Sequence, residues 1–197
     1  MTASLVTPTA PSRYSTVAMA LHWIIAAIIV GQVALGWYMG TLGRAPLHRT
    51  LEGVHISIGL TVLLLTVARL AWGLSHPHPR LPADMPALDR RLAGIVHPLF
   101  YVLLFALPLT GWVMESFGSR PIPFWGLAWP HFPAMDLITG GADPRALKKT
   151  LEGVHGSVLV WSTVVLFGLH VAGAIKHQFD GHPILWRMAG WMKPADR

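Results

Sequence analysis

Four long apolar stretches constrain this chain more than any other feature: Val17–Met39, Val54–Leu74, Leu92–Met114 and Gly153–Ile175. The hydrocarbon core of a bilayer is about 30 Å thick and is crossed by roughly 20 helical residues. Each stretch meets that length. In lipid the backbone must satisfy its own hydrogen bonds, so each is read as a helix. The expected fold is all-α, an integral membrane four-helix bundle forming one transmembrane domain over residues 1–197. Composition agrees, with 53% hydrophobic and only 12% charged residues. A soluble domain carries about twice that charged share. Trp23, Trp37, Tyr38, Trp72 and Trp112 lie towards stretch ends, as interfacial anchors do. Pro108 predicts a kink in the third helix, not a break. The first stretch exceeds a signal-peptide core and follows a nearly uncharged tail, so it is read as a retained helix.

The connections differ. Gly40–Gly53 is short, Ser75–Arg91 is proline-rich and extended, and Glu115–Glu152 is long enough to lie along the surface. With the N-terminus inside, the inner side holds Arg13, Arg69, Arg80, Arg90, Arg91, Lys176, Arg187, Lys193 and Arg197. The outer side holds Arg44, Arg49, Arg120, Arg145, Lys148 and Lys149. The positive-inside bias therefore predicts both termini in the cytoplasm. The formal charge of +6 is read as basic loops beside anionic membrane lipid, and no nucleic-acid partner is expected. The chain has no cysteine, which excludes disulfides, iron–sulfur clusters, thiolate zinc sites and covalent CxxCH haem.

One motif is repeated. TLEGVH occurs at Thr50–His55 and at Thr150–His155, each copy after a basic residue, Arg49 or Lys149. The copies are expected to open the second and fourth helices, which enter the membrane from the same side. Two histidines then sit at equal depth on parallel helices. Thr50 and Thr150 are candidate N-caps, with Gly53 and Gly153 allowing close approach.

An ionisable residue inside a span is a functional candidate by default. His22, His55, His97, His155 and His170 qualify. A single one is as readily a hydrogen-bonded buried imidazole, but these fall into two layers. His55 and His155 form the outer layer. His170 follows His155 by 15 residues, roughly 22 Å of helix, and reaches the depth of His22 near the inner surface. Paired imidazoles in two layers suit bis-histidine haem. Zinc needs more ligands in one layer, and a proton relay favours the carboxylates these spans lack. His97 rivals His22 as inner ligand. Arg69 lies at the inner depth too, either to pair with a haem propionate or to snorkel to the interface.

The residues resemble the bacterial-type cytochrome b561 family over nearly the whole chain. The resemblance is carried by RYSTVAMALHW (Arg13–Trp23), both LEGVH copies, HPLFYVLLFALPLTG (His97–Gly111), PFWGL (Pro123–Leu127) and LHVAGAIKHQF (Leu169–Phe179). It implies a four-helix bacterial inner-membrane protein with two haem b groups. It implies His55 and His155 as ligands of the outer haem iron, and His22 and His170 of the inner. His155 and His170 stand one residue further apart than the family pattern, which a local bulge would absorb. The resemblance also implies electron transfer between a donor and quinone as acceptor, with Lys176 and His177 near the quinone site.

Two functional classes follow. One is an oxidoreductase that takes electrons from superoxide at the outer face, where Arg44, Arg49, Arg145, Lys148 and Lys149 would attract the anion, Arg49 and Lys149 above all. The other is a cytochrome b subunit that docks a soluble redox protein such as a dehydrogenase or hydrogenase. There the outer segment Pro121–Pro133 would supply the contact. A haem-free transporter is a remote third class.

Overall fold

The computed structural model describes residues 12–43, 45–82, 85–133, 135–180 and 184–189. Arg44, Lys193 and Arg197, counted above, lie outside these. Helix α1 spans Thr16–Thr41 and begins where the Ser15 side chain accepts from the Ala18 N–H at 3.3 Å. Helix α2 spans Pro46–Ser75, and Pro46 at its first position presets the helical φ. Helix α3 spans Ala87–Ser116 and runs on through both Pro98 and Pro108. A two-stranded antiparallel hairpin follows, β1 (Ile122–Phe124) and β2 (Leu127–Trp129). After the short α4 (Met135–Thr139) come α5 (Pro144–Gly153), a π-helical stretch Val154–Leu159 and α6 (Val160–Phe179). The last three form one helix of 36 residues, Pro144–Phe179.

Among the described residues four helices are thus long and apolar enough to cross a membrane, and each contains one predicted stretch. Their outer surfaces are apolar. Val102, Val165 and Leu169, for example, are 60%, 59% and 63% exposed, which is tolerable only against lipid. The buried centre is narrow and includes Ile25, Leu60, Val62, Leu63, Leu103, Leu107 and Leu166.

Two expectations are corrected. The TLEGVH copies do not open helices, because α2 and α5 start earlier, at Pro46 and Pro144. Asp143 caps α5 by accepting from the Arg145 N–H at 3.1 Å, and Thr150 instead donates to the Ala146 carbonyl at 3.0 Å. Thr50 likewise lies inside α2 and caps nothing. Gly53 does permit a close approach, since a Cβ there would stand 3.7 Å from Cγ of Pro123, but Gly153 faces open space.

The long connection is built, not merely draped. At its tip Trp125 and Gly126 both have positive φ, 49° and 86°, as a tight hairpin turn requires. For a tryptophan that conformation costs about 1–3 kcal/mol. Helix α2 holds it there. Ser57 Oγ donates to the Pro123 carbonyl at 3.2 Å and accepts from the Trp125 N–H at 3.3 Å, while Trp125 Nε1 donates to Thr61 Oγ1 at 2.9 Å.

At the opposite end the first and last described residues meet. The Tyr14 N–H donates to the Arg187 carbonyl at 3.2 Å, and Trp23 Nε1 donates to the Met188 carbonyl at 2.7 Å. Arg187 also donates to the Arg80 carbonyl at 2.7 Å, which ties in the α2–α3 connection. Burial raises the Tyr14 phenol above its ordinary pKa, against the lowering pull of Arg69 and Arg187. Close backbone contact joins α1 to α2, α2 to α3 and α3 to α6. Helix α6 faces α1 and α2 across a seam bridged by side chains, among them the Trp37–Trp161 pair with ring centroids 5.6 Å apart.

Candidate functional site

Across that seam the histidines meet in two pairs. His55 of α2 and His155 of the π-helical stretch have ring centroids 6.2 Å apart, with planes at 72°. His22 of α1 and His170 of α6 also stand 6.2 Å apart, at 65°. The π-helical stretch contains His155 and absorbs one residue. It is the bulge that the long His155–His170 spacing calls for.

The spacing is that of a bis-histidine metal site. A metal–imidazole bond is roughly 2 Å, and a ring nitrogen lies about 1 Å from its centroid. Two axial imidazoles on one metal therefore have centroids roughly 6 Å apart. Both pairs match. The apolar seam around them is the medium a porphyrin needs. Glycines make room beside the outer pair: a Cβ on Gly36 would stand 3.8 Å from His55 Cε1, and one on Gly111 would stand 3.5 Å from His155 Cε1. Among the described residues no three His, Asp or Glu side chains converge as a bare metal ion would require. The residues fit haem.

The ring nitrogens are differently engaged. His155 Nδ1 lies 3.0 Å from Thr110 Oγ1, whereas His55 Nδ1 is buried with no partner among the described residues. In the inner layer His97 stands 5.7 Å from His170, ring to ring, and Phe100 stands 5.3 Å from it. His97 Nδ1 donates to its own helix at the Ala93 carbonyl, 2.8 Å away. The structure thus brings His22, His97 and His170 together, with His97 tied to α3.

Arg69 donates to the Ala18 carbonyl at 3.3 Å, one helical turn before His22. Lys176 is held by two carboxylates, Asp89 and Asp180, each at 2.9 Å, and His177 Nδ1 is 3.9 Å from Asp89. At the other end Arg49 and Lys149 are exposed and make no ion pair among the described residues. Three carboxylates share that end, because Glu115 lies within electrostatic reach of Glu52 and Glu152 as well as Lys148 and Arg120.

Sequence reasoning overlooked Gln32, whose Nε2 donates to the His55 carbonyl at 2.8 Å. It overlooked Thr110 and Ser57 as well. The available signal was polarity inside a span. Gln32 is the only amide side chain in the first stretch, and Thr110 stands among apolar residues beside Gly111.

The chain matches the prokaryotic cytochrome b561 family over residues 13–191. It is 35% identical over 184 residues to cytochrome b561 homolog 2 of Escherichia coli (strain K12), covering 91% of this chain and 93% of that protein. It is 26% identical over 171 residues to the probable superoxide oxidase CybB of Yersinia pestis, covering 85% and 89%. Cytochrome b561 homolog 1 of Escherichia coli (strain K12) is 23% identical over 172 residues, covering 85% and 91%.

Proposed function

The chain belongs to the prokaryotic cytochrome b561 family of membrane proteins, and from that premise we propose that it is a dihaem b-type cytochrome carrying electrons from a donor at the outer face to quinone. Membership implies haem b. The observation that carries the count of two is the repetition of one geometry, imidazole pairs 6.2 Å apart in each layer. His55 and His155 would hold the outer group, and His22 and His170 the inner. Bound haem would supply reversible one-electron transfer, and the two layers divide the membrane crossing into shorter hops. Arg69, beside the His22 layer, would offset a propionate charge. The described ends of the chain share one face with the α2–α3 connection. The lysine and arginine bias favours the cytoplasmic side of the inner membrane for that face.

Superoxide is the donor we favour, supported by the name of the Yersinia relative. Two superoxide anions would each give up one electron and leave as dioxygen. One quinone would take both electrons and two protons to become quinol. Arg49 and Lys149, exposed and without an ion pair among the described residues, would draw in the anion. At the inner face Lys176 and His177 sit with Asp89 and Asp180, a charged cluster beside which a quinone would be reduced.

The alternative is a cytochrome b subunit for a dehydrogenase or hydrogenase. It has one observation in its favour: Leu127 and Leu137 on the outer connection are 71% and 84% exposed, as a docking surface would be. Stopped-flow mixing of the purified protein with pulsed superoxide separates the two. Reduction of the haem by superoxide, then reoxidation by added quinone, is expected. Reduction only in the presence of a partner protein would replace the first reading with the second. A pyridine haemochrome assay should give two haem groups per chain, and one or none would refute the dihaem reading.

A further inference from the structure

We propose that Thr110 is a positioning residue for the outer site, fixing the tautomer of His155 and setting the reduction potential of the group that His155 ligates. The inference rests on His155 being a haem ligand, as read above. Thr110 Oγ1 lies 2.7 Å from the Ala106 carbonyl and 2.8 Å from the Leu107 carbonyl. Carbonyl oxygens only accept, so the single hydroxyl hydrogen is committed to them. What remains on Oγ1 is acceptor capacity, and His155 Nδ1 is 3.0 Å away. Nδ1 must then carry the proton, which leaves Nε2 with its lone pair free to bind a metal. The tautomer is dictated by two backbone carbonyls through one hydroxyl.

The helix is built to hold this relay. Thr110 stands two residues after Pro108, which is buried in α3. The next residue, Gly111, lets the ring lie close, with a virtual Cβ only 3.5 Å from His155 Cε1 and 3.9 Å from Nδ1. The opposing ligand has no such partner among the described residues, since His55 Nδ1 is buried there without a hydrogen bond. The two outer imidazoles are therefore chemically unequal, although they come from identical TLEGVH motifs. A hydrogen bond accepted from Nδ1–H makes the imidazole a stronger base and favours the ferric state. Removing it should make the outer haem easier to reduce.

The test is a redox titration of Thr110→Val and Thr110→Ser, with haem content measured on each. Valine keeps the branched shape and loses the hydroxyl, while serine keeps the hydroxyl. In Thr110→Val the ferrous:ferric ratio of the outer haem at fixed potential should rise roughly fivefold. That is about 40 mV at 59 mV per tenfold for a one-electron couple. Thr110→Ser should restore the wild-type potential, and the inner haem should move in neither. Loss of the outer haem in Thr110→Val with retention in Thr110→Ser would also support the role. An unshifted Thr110→Val would overturn it, leaving the Leu107 carbonyl beside the same ring as the true acceptor. Equal shifts or equal haem loss in both variants would overturn it too, because packing would then be the cause. His155→Ala separates the premise from the inference. If that variant keeps both haem groups, the ligand assignment has failed, whatever Thr110 does.

Discussion

Ser57→Ala should release the hairpin from α2 without unfolding the bundle. Ser57 is 4% exposed, and its hydroxyl serves three groups. It lies 2.8 Å from the Gly53 carbonyl, 3.2 Å from the Pro123 carbonyl and 3.3 Å from the Trp125 N–H. Alanine leaves the Gly53 carbonyl with its helical partner and strips the other two. A net hydrogen bond contributes about 1 kcal/mol, and an orphaned buried group costs about 1–3 kcal/mol. Both bonds are long, so the lower figures apply and the sum is about 2 kcal/mol. At 1.4 kcal/mol per tenfold that is roughly a 30-fold larger population of the undocked hairpin. The stored strain at Trp125, with its φ of 49°, pushes the same way. Hydrogen exchange by mass spectrometry is the assay. Peptides covering residues 119–132 should exchange about 30-fold faster, while α1 and α3 stay protected and haem content is unchanged. Unaltered exchange in that segment would refute the reasoning, because Ser57 would then not be what holds the turn. Equal acceleration in every helix would refute it as well, by making the residue part of the global core.

Three further outcomes are expected. His55→Ala and His155→Ala should remove the same haem by difference spectroscopy, since the rings face one another at 6.2 Å; loss of spectrally different haems would break the pairing. His97→Ala should keep both haem groups and His170→Ala should lose the inner one, because the His22–His170 pair repeats the 6.2 Å spacing of the outer pair; haem loss in His97→Ala and retention in His22→Ala would exchange their roles. Arg49→Ala combined with Lys149→Ala should slow haem reduction by superoxide, by less as salt rises and the Debye length falls below about 8 Å. Reduction of that variant by a neutral donor should hardly change, and equal slowing with both donors at all salt concentrations would count against steering.

The spans were legible because the bilayer leaves so few choices. A stretch such as Leu92–Met114 can only be helical, even with Pro98 and Pro108 inside. The histidine pairs were legible because helical rise converts a residue count into depth, and the π-helical stretch at Val154–Leu159 resolves the one count that did not fit. Helix starts were not, since apolar runs mark the membrane and not the helix. The ends are decided outside lipid by Pro46, Asp143 and Pro144. The hairpin was illegible for another reason. Its geometry depends on Ser57 and Thr61, more than sixty residues earlier, and no local pattern at Trp125 announces a positive φ. Thr110 is a similar case, because its meaning arises only where α3 lies against His155.

The seam between α6 and the α1–α2 pair has a mechanical consequence. Where backbones touch, as between α1 and α2 or α3 and α6, a helix cannot shift without breaking many contacts at once. Where backbone contacts are few and side chains bridge, as at Trp37–Trp161, rotamer changes absorb displacement at lower cost. The bundle is therefore anisotropic, stiff within the α1–α2–α3 sequence and compliant across the seam. As the chain emerges, α1, α2 and α3 can pack in order of synthesis, and α6 closes last, hinged on α3. The compliant direction is the one across which the paired rings face each other.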